Sequence, residues 1–189
     1  MPRPLRNLPS GSVVHCVNRG NDKRMLFQRA SEFEDFLQLV AWAKGKCPVR
    51  IVAYCVMSNH WHFVFWVECG GDVSRFLHRL TTTHATSWRR RTGTVGWGHV
   101  YQDRFKGSKI FTEAYYYNVL RYVEQNPLRA NLVCASKDWR WSSLAERLGN
   151  GRSLLDDGPA DLPFEWPKLV DQNLSEAAIE KIRSTLKRH

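Results

Sequence analysis

The chain has 189 residues, with 28 Lys and Arg against 18 Asp and Glu, and a formal net charge of +10 at pH 7. This length suits one domain with a real hydrophobic core. The positive charge together with eight Trp is typical of polyanion-binding proteins, although a protein with an ordinary solvated basic surface would have the same charge balance. No apolar run is long enough to span a bilayer, and the five scattered cysteines form no disulfide framework, so we expect a cytoplasmic bacterial protein without a membrane partner.

The first half of the chain predicts a strand, a helix and a hairpin. GSVVHCVNRG (11–20) alternates as a strand does, and SEFEDFLQLVAWAKGKC follows as an amphipathic helix whose start is marked by Ser31 and Glu34 in a capping box. VRIVAYCVM (49–57) and HWHFVFWVE (60–68) are rich in β-formers. Ser58 and Asn59 separate them, which predicts a two-residue hairpin turn.

The second half predicts a helix from about Val73 to Arg91, a glycine-rich aromatic loop, a short strand at 105–110 and a third helix. Thr112 caps this last helix, and Asn126-Pro127 closes it, because the residue before proline disfavours helical backbone. The order is therefore β-α-β-β-α-β-α. Its first six elements predict an α+β fold of the ferredoxin-like, split βαβ type: an antiparallel sheet with helices on one face. We divide the chain into residues 1–136 and a C-terminal extension, 137–189, which packs on the core and ends in a basic helix.

The motif HWH, from His60 to His62, lies in one of the predicted strands. Residues i and i+2 of a strand share a face, so the two imidazoles stand side by side while Trp61 points into the core. Such pairs are most often structural, and a metal site needs a third ligand. Asn126 is the candidate, and two imidazoles with an amide oxygen suit Mg²⁺ or Mn²⁺ acting on phosphate.

The third helix supplies a candidate nucleophile. Tyr115, Val119, Tyr122 and Asn126 share one helical stripe. Tyr122 lies one turn from Asn126, about 6 Å along the helix axis, whereas Tyr115 is about 16 Å away. Without the metal, a helical tyrosine more often packs its ring and exposes its hydroxyl to water. If Asn126 holds a metal ion, Tyr122 is the residue placed to act beside it.

Four segments together resemble a known family: NRGNDKRMLF, YCVMSNHWHFVFW, GHVYQDRFKGSKI and LRYVEQNPLRANLV. In order and spacing they are similar to the tyrosine transposases of the IS200-like group, within the HUH single-strand endonucleases, and above all to the REP-associated branch. The resemblance runs from about Ser12 to Leu148. It departs from the branch at Ser58, where proline is usual, and at Asp103, where glycine is usual.

This resemblance implies site residues and an activity. His60, His62 and Asn126 match the metal ligands, and Tyr122 matches the nucleophile. The expected activity is metal-dependent cleavage and strand transfer of single-stranded DNA at or beside hairpins, through a 5′-phosphotyrosine intermediate. The expected partner is single-stranded or hairpin DNA with REP-like palindromes, with no small-molecule substrate; bound protein would associate with the nucleoid, as a monomer or a homodimer.

Basic and aromatic residues near the glycine-rich loop are candidate DNA contacts. Phosphate contacts are expected from Arg104 and Lys106 and from a basic run at a helix end, which consists of Arg89, Arg90 and Arg91. Trp97 and Tyr101 are expected to stack on unpaired bases. Three alternatives remain at this point: a non-catalytic nucleic-acid-binding protein on the same topology, a replication or mobilisation nickase of the wider HUH group, and a domesticated protein that binds a hairpin without mobilising it.

Overall fold

The computed structural model describes residues 8–69 and 72–187. Within these ranges the strands are β1 (Val13–Arg19), β2 (Arg50–Met57), β3 (His60–Trp66) and β4 (Lys106–Ile110). The helices are α1 (Ala30–Lys46), α2 (Asp72–Thr92), α3 (Glu113–Glu124), α4 (Asn126–Arg129), α5 (Ser143–Arg147), α6 (Trp166–Asp171) and α7 (Glu176–Lys187). Strands and α-helices as far as α3 follow the predicted β-α-β-β-α-β-α order.

The four strands form one antiparallel sheet in the order β2-β3-β1-β4. β1 and β2 are connected through α1, and β3 lies between them, which is the split βαβ arrangement. The predicted ferredoxin-like α+β fold is confirmed. β2 and β3 form the predicted hairpin, since Met57 pairs with His60 across a turn of Ser58 and Asn59.

Helices cover both faces of the sheet. α1 and α2 pack together on one face, where Trp61 and Phe63 of β3 are fully buried, so the prediction for the two helices of the split βαβ unit is confirmed. α3, α6 and α7 form a second core on the opposite face, which includes Val64. His60 and His62 have the same parity as Val64 along β3 and therefore point to the α3 side.

The start of α1 differs from the predicted capping box. The helix begins one residue before Ser31, and the side chain of Glu32, not of Glu34, accepts a hydrogen bond from the backbone N–H of Gln28 at 2.7 Å. Glu34 instead forms an ion pair with Arg152 at 2.7 Å. The predicted capping box is wrong because its glutamate is committed to a partner 118 residues away.

The end of α3 also differs from the prediction. Thr112 caps the helix as predicted, with its hydroxyl accepting a backbone N–H of the first turn. The chain does not leave the helical region at Asn126 and Pro127: after a break at Gln125 it continues as α4, with Pro127 in the first turn. Proline is tolerated there because the first N–H groups of a helix have no intrahelical acceptor. The short second helix ends at Arg129, close to the end of α3.

The C-terminal extension pairs with the outer edge of β2. The backbone N–H of Val56 donates to the carbonyl of Trp141 at 2.9 Å, and the N–H of Ile51 donates to the Asp156 carboxylate at 2.8 Å. These contacts satisfy backbone groups of an edge strand that would otherwise remain unpaired. The extension therefore packs on the core as expected, and the division at residue 136 stays a prediction.

A buried carboxylate joins α3 to this extension. Glu124 is fully buried, and one of its oxygens forms an ion pair with Arg147 at 3.3 Å and accepts a hydrogen bond from the Ser143 hydroxyl. Its other oxygen accepts from the indole N–H of Trp166 at 2.7 Å. A buried charge is tolerated when it is paired and hydrogen-bonded in this way. Glu124 thus fixes the last turn of α3 against α5 and α6.

The structure also bears on two expectations from the composition, which concern the cysteines and membrane-spanning helices. All five cysteines are free thiols, as expected from their scattered positions. In the part of the chain that the structure describes, no helix combines the length and the apolar character that a bilayer crossing requires.

Candidate active site

The two histidines of the HWH motif lie next to each other on β3. Their ring centroids are 5.0 Å apart, at an interplanar angle of 81°. Trp61 is fully buried on the other side of the sheet, in the core under α1 and α2. The shared face predicted from strand periodicity is therefore present.

Hydrogen bonds hold both rings through their Nδ1 atoms. Nδ1 of His60 lies 2.7 Å from the side-chain oxygen of Asn59, and Nδ1 of His62 lies 2.9 Å from Nε2 of His15. His15, on β1, is buried, and its ring is stacked on that of His62. Metal-binding histidines are usually oriented by such a bond at the second ring nitrogen. The Nε2 atoms of His60 and His62 are the ones that remain for a ligand.

The surroundings keep these imidazoles neutral. Burial lowers the pKa of His60 to about 4, the Arg19 charge adds to this effect, and a hydrogen bond with Asn126 opposes it. Burial also holds the pKa of His62 well below the ordinary value, and the neighbouring rings of His60 and His15 lower it further. Both rings are therefore unprotonated at pH 7, which is the form that coordinates a metal ion.

α3 brings Tyr122 and Asn126 to the same place. The Tyr122 ring centroid lies 5.9 Å from that of His62 and 6.2 Å from that of His15, edge to face in both cases. The side-chain amide of Asn126 donates to the Tyr122 carbonyl at 2.8 Å, and the same side chain is hydrogen-bonded to His60. The predicted helical stripe thus lies over the predicted histidine face.

These residues line a cavity of about 450 Å³, which we call the histidine cavity. His60, His62, Tyr122 and Asn126 all contribute to its wall. Six cationic side chains line it as well: Arg19, Arg104, Lys106, Arg129, Arg183 and Lys187. The only carboxylate among the described lining residues is that of Asp103. Because like charges in a cleft reinforce one another's field, the cavity attracts polyanions.

The other tyrosines of α3 are committed elsewhere. The Tyr115 hydroxyl bonds to that of Thr185 on α7 at 3.2 Å. Tyr116 is buried in the core, which raises its pKa to about 12, and the Tyr117 hydroxyl donates to a backbone carbonyl of the C-terminal extension. Among these four tyrosines, only Tyr122 lines the histidine cavity.

The donor set fits a hard divalent cation. His60, His62 and Asn126 offer two neutral ring nitrogens and an amide oxygen to one cavity, and with oxygens of water and a phosphate added this set could hold Mg²⁺ or Mn²⁺. Within the described ranges no group of three His, Cys, Asp or Glu side chains is placed to hold a metal ion, so a metal site here would have to draw on the amide of Asn126 as well.

The predicted DNA contacts separate into two groups. Arg104 and Lys106 line the histidine cavity, and Trp97 is 78 % exposed in its loop. Arg89 lines a second cavity of about 790 Å³ between α2 and residues 99–105, which we call the α2 cavity. Arg90 is exposed at the end of α2. These five side chains are accessible in the way that a DNA contact requires.

Two predicted contacts occupy different positions from those expected. Arg91 forms an ion pair with Glu32 at 3.4 Å, and its side chain is only 28 % exposed. Tyr101 is buried, with its hydroxyl 2.7 Å from Nδ1 of His84 and 3.3 Å from the indole nitrogen of Trp61. Tyr101 is nevertheless among the residues that line the α2 cavity, and Arg91 shares the Glu32 carboxylate with Arg29, so both DNA contacts stay predictions.

Several residues of the histidine cavity were not among the sequence candidates. Arg129 lies seven residues after Tyr122, so helical periodicity could have placed it on the same stripe. Arg19 precedes a glycine at the end of a predicted strand and carried no distinguishing signal. Arg183 and Lys187 lie four residues apart on α7, and only tertiary packing brings that helix to the cavity.

Comparison with known proteins gives the following matches. A family model described as "Transposase IS200 like" matches residues 10–126. Among solved structures, 17 chains match; one is described as the "Structure of the REP associates tyrosine transposase bound to a REP hairpin", with a TM-score of 0.62 and 19 % identity. That match covers 86 % of this chain and 94 % of the other. No curated protein matches significantly.

Proposed function

The chain belongs to the IS200-like transposase family, and on that premise we propose that it is a metal-dependent single-strand DNA endonuclease and strand transferase with Tyr122 as its nucleophile. The observation that carries the proposal is the meeting of His60, His62, Tyr122 and Asn126 in one cationic cavity. A nucleic-acid-binding module would need a cationic surface but neither the paired imidazoles nor the adjacent phenol.

The chemistry follows from the groups around the cavity. The Tyr122 oxygen attacks phosphorus, a new phosphorus–oxygen bond forms to the DNA 5′ phosphate, and the bond to the 3′ oxygen breaks. The phenol proton passes to solvent, and the departing 3′ oxygen takes up a proton to become a hydroxyl. A divalent ion held by His60, His62 and Asn126 would supply Lewis-acid polarisation of a non-bridging oxygen. Attack by another 3′-hydroxyl reverses the step and joins new ends without ATP.

The substrate we propose is single-stranded DNA that carries a hairpin. The solved structure that resembles this chain is that of a transposase bound to a REP hairpin. The six cations of the histidine cavity support a phosphate-bearing substrate here. The histidines and Tyr122 come from one chain, so one copy contains a complete candidate site, and we place the protein with chromosomal DNA in the bacterial cytoplasm.

Formation of a covalent adduct tests the proposal. Incubation with Mg²⁺ or Mn²⁺ and a library of single-stranded hairpin oligonucleotides with randomised flanks should give a denaturation-resistant adduct attached through the DNA 5′ end. Tyr122→Phe keeps the ring and its packing but removes the attacking oxygen, so it should eliminate the adduct without weakening DNA binding. Tyr115→Phe is the matched control and should leave the adduct in place. Peptide mapping that finds DNA on Tyr115, Tyr116 or Tyr117 would refute the assignment, and binding without any adduct would favour the non-catalytic alternative.

A further inference from the structure

A guanidinium group lies directly on the ring of the proposed nucleophile. Cζ of Arg129 is 4.3 Å from the centroid of the Tyr122 ring, within the range of a cation–π interaction. Gln125 keeps a right-handed helical backbone between α3 and α4, and the Arg129 N–H donates to the Gln125 carbonyl at 3.0 Å, so Arg129 returns to the helical stripe of Tyr122. Arg129 is thereby held one short helix after α3, with its side chain turned back onto Tyr122.

The same guanidinium has an unused donor. Nη1 of Arg129 is buried and has no hydrogen-bond partner in the described part of the protein, and no carboxylate there forms an ion pair with this residue. A buried donor without a partner is destabilising, and more so when it is charged. Arg129 also lines the histidine cavity beside His60 and His62. An anionic ligand in that cavity would satisfy the donor.

We propose that Arg129 is a catalytic residue, which binds a non-bridging oxygen of the scissile phosphate through its free edge while its flat face fixes the Tyr122 ring for attack. This inference rests on the proposed function and adds a second cationic contact to the phosphate, besides the metal ion that His60, His62 and Asn126 would hold. It assigns a role to a residue three positions beyond the end of the family match at residue 126.

The role depends on the shape of arginine as well as its charge. As the bond from Tyr122 to phosphorus forms and the bond to the 3′ oxygen breaks, negative charge develops on the attacking, leaving and non-bridging oxygens. A guanidinium already fixed against the ring stabilises this charge without having to reorganise. Its planar group can stack on an aromatic face and still present hydrogen-bond donors at its edge, which an ammonium group cannot do.

Single-turnover rates of adduct formation test this role, measured with saturating protein on the same hairpin oligonucleotides and beside separate binding measurements. Arg129→Ala should slow adduct formation about 10²–10³-fold, the loss typical of removing one transition-state donor. Affinity for the uncleaved oligonucleotide should fall less than the rate does. Added guanidinium chloride at millimolar concentration should restore part of the rate, because the ion can occupy the vacated space; a residue that only supported the fold would not be replaced in this way.

Two variants complete the experiment. Arg129→Lys keeps the charge and most of the stem, and should remain well below the wild-type rate even where Arg129→Ala fails to fold. Lys137→Gln, at an exposed lysine that lines neither cavity, should match the wild type. Wild-type rates in Arg129→Ala or Arg129→Lys, or the absence of any guanidinium rescue in folded Arg129→Ala, would overturn the assignment of Arg129 alone. An unaltered protein that forms no adduct would instead overturn the proposed function.

Discussion

Removal of two cations from α7 should change the salt dependence of DNA binding by a calculable amount. Arg183 and Lys187 are exposed, lie on one face of α7 and line the histidine cavity. The anchoring of α7 does not depend on their charge, because the neighbouring Ile182 is fully buried in the core under α3 and Leu186 is buried as well. Arg183→Gln combined with Lys187→Gln should therefore alter the electrostatics of the cavity and leave the fold intact.

The magnitude follows from the number of cations. For single-stranded DNA the logarithm of affinity falls with the logarithm of salt concentration with a slope of about −0.7 for each phosphate contacted. If all six cations of the histidine cavity contact phosphates, the slope is about −4, and affinity falls about 300-fold between 50 and 200 mM salt. Loss of two contacts should reduce the slope to about −2.8 and the fall to about 50-fold.

Fluorescence anisotropy of a labelled single-stranded hairpin oligonucleotide, titrated over this range of NaCl, measures the slope directly. A matched control replaces Lys137 and Lys168, two exposed lysines outside the cavity lining, with Gln, which removes the same net charge. The control should keep the wild-type slope. Equal slopes for the α7 variant and the wild type, or the same reduction in the control, would show that the strand does not follow the cavity.

Three other changes have defined outcomes. His60→Ala and His62→Ala, tested separately, should each abolish divalent-dependent cleavage while circular dichroism stays close to wild type; cleavage with normal metal dependence would place the metal elsewhere. Trp97→Ala should weaken single-strand binding by about 1–3 kcal/mol for one lost base stack and leave the melting temperature unchanged, because the ring is 78 % exposed; a stability loss without a binding loss would contradict this. Burial lowers the pKa of His84 to about 3, so its contribution to stability is fully present above pH 6.5 and is lost as the pH falls towards 3. In urea unfolding at pH 7 and pH 5, His84→Gln should therefore remove about 2 kcal/mol of the acid-induced loss, and an identical loss in both proteins would refute the assignment.

The fold could be predicted from the sequence because the patterns that specify its strands, helices and hairpin turn are local. Alternation marks the strands, 3.6-residue periodicity marks the helices, and Ser58-Asn59 marks a turn too short for anything but a hairpin. The capping box at Ser31 and Glu34 failed because the sequence does not reveal that Arg152 claims the second residue. Local patterns therefore located the helix to within one residue and named the wrong capping side chain.

The candidate site could be predicted only in part from the sequence, because local patterns place only some of its residues. The spacings of His60 with His62 and of Tyr122 with Asn126 are intrinsic to one strand and one helix. The cations from other elements depend on how α7 and β1 pack around them, which no local pattern encodes. The burial of Tyr101 could not be predicted, because its hydroxyl contacts His84, which lies on α2, 17 residues away in the sequence.

The ion pair between Glu124 and Arg147 has a consequence for how members of this family can be cut and recombined. The family match ends at residue 126, yet Glu124, two positions after the proposed nucleophile, is hydrogen-bonded and ion-paired with Ser143, Arg147 and Trp166, which lie beyond that match. In a chimera that joined the first 126 residues to the C-terminal region of a relative, this buried carboxylate would lose its hydrogen-bond and ion-pair partners unless the relative supplied equivalent ones. The segment that identifies the family is therefore not one that folds independently of the C-terminal extension. Exchange of segments between relatives would preserve the fold only where Glu124 and its partners are exchanged together.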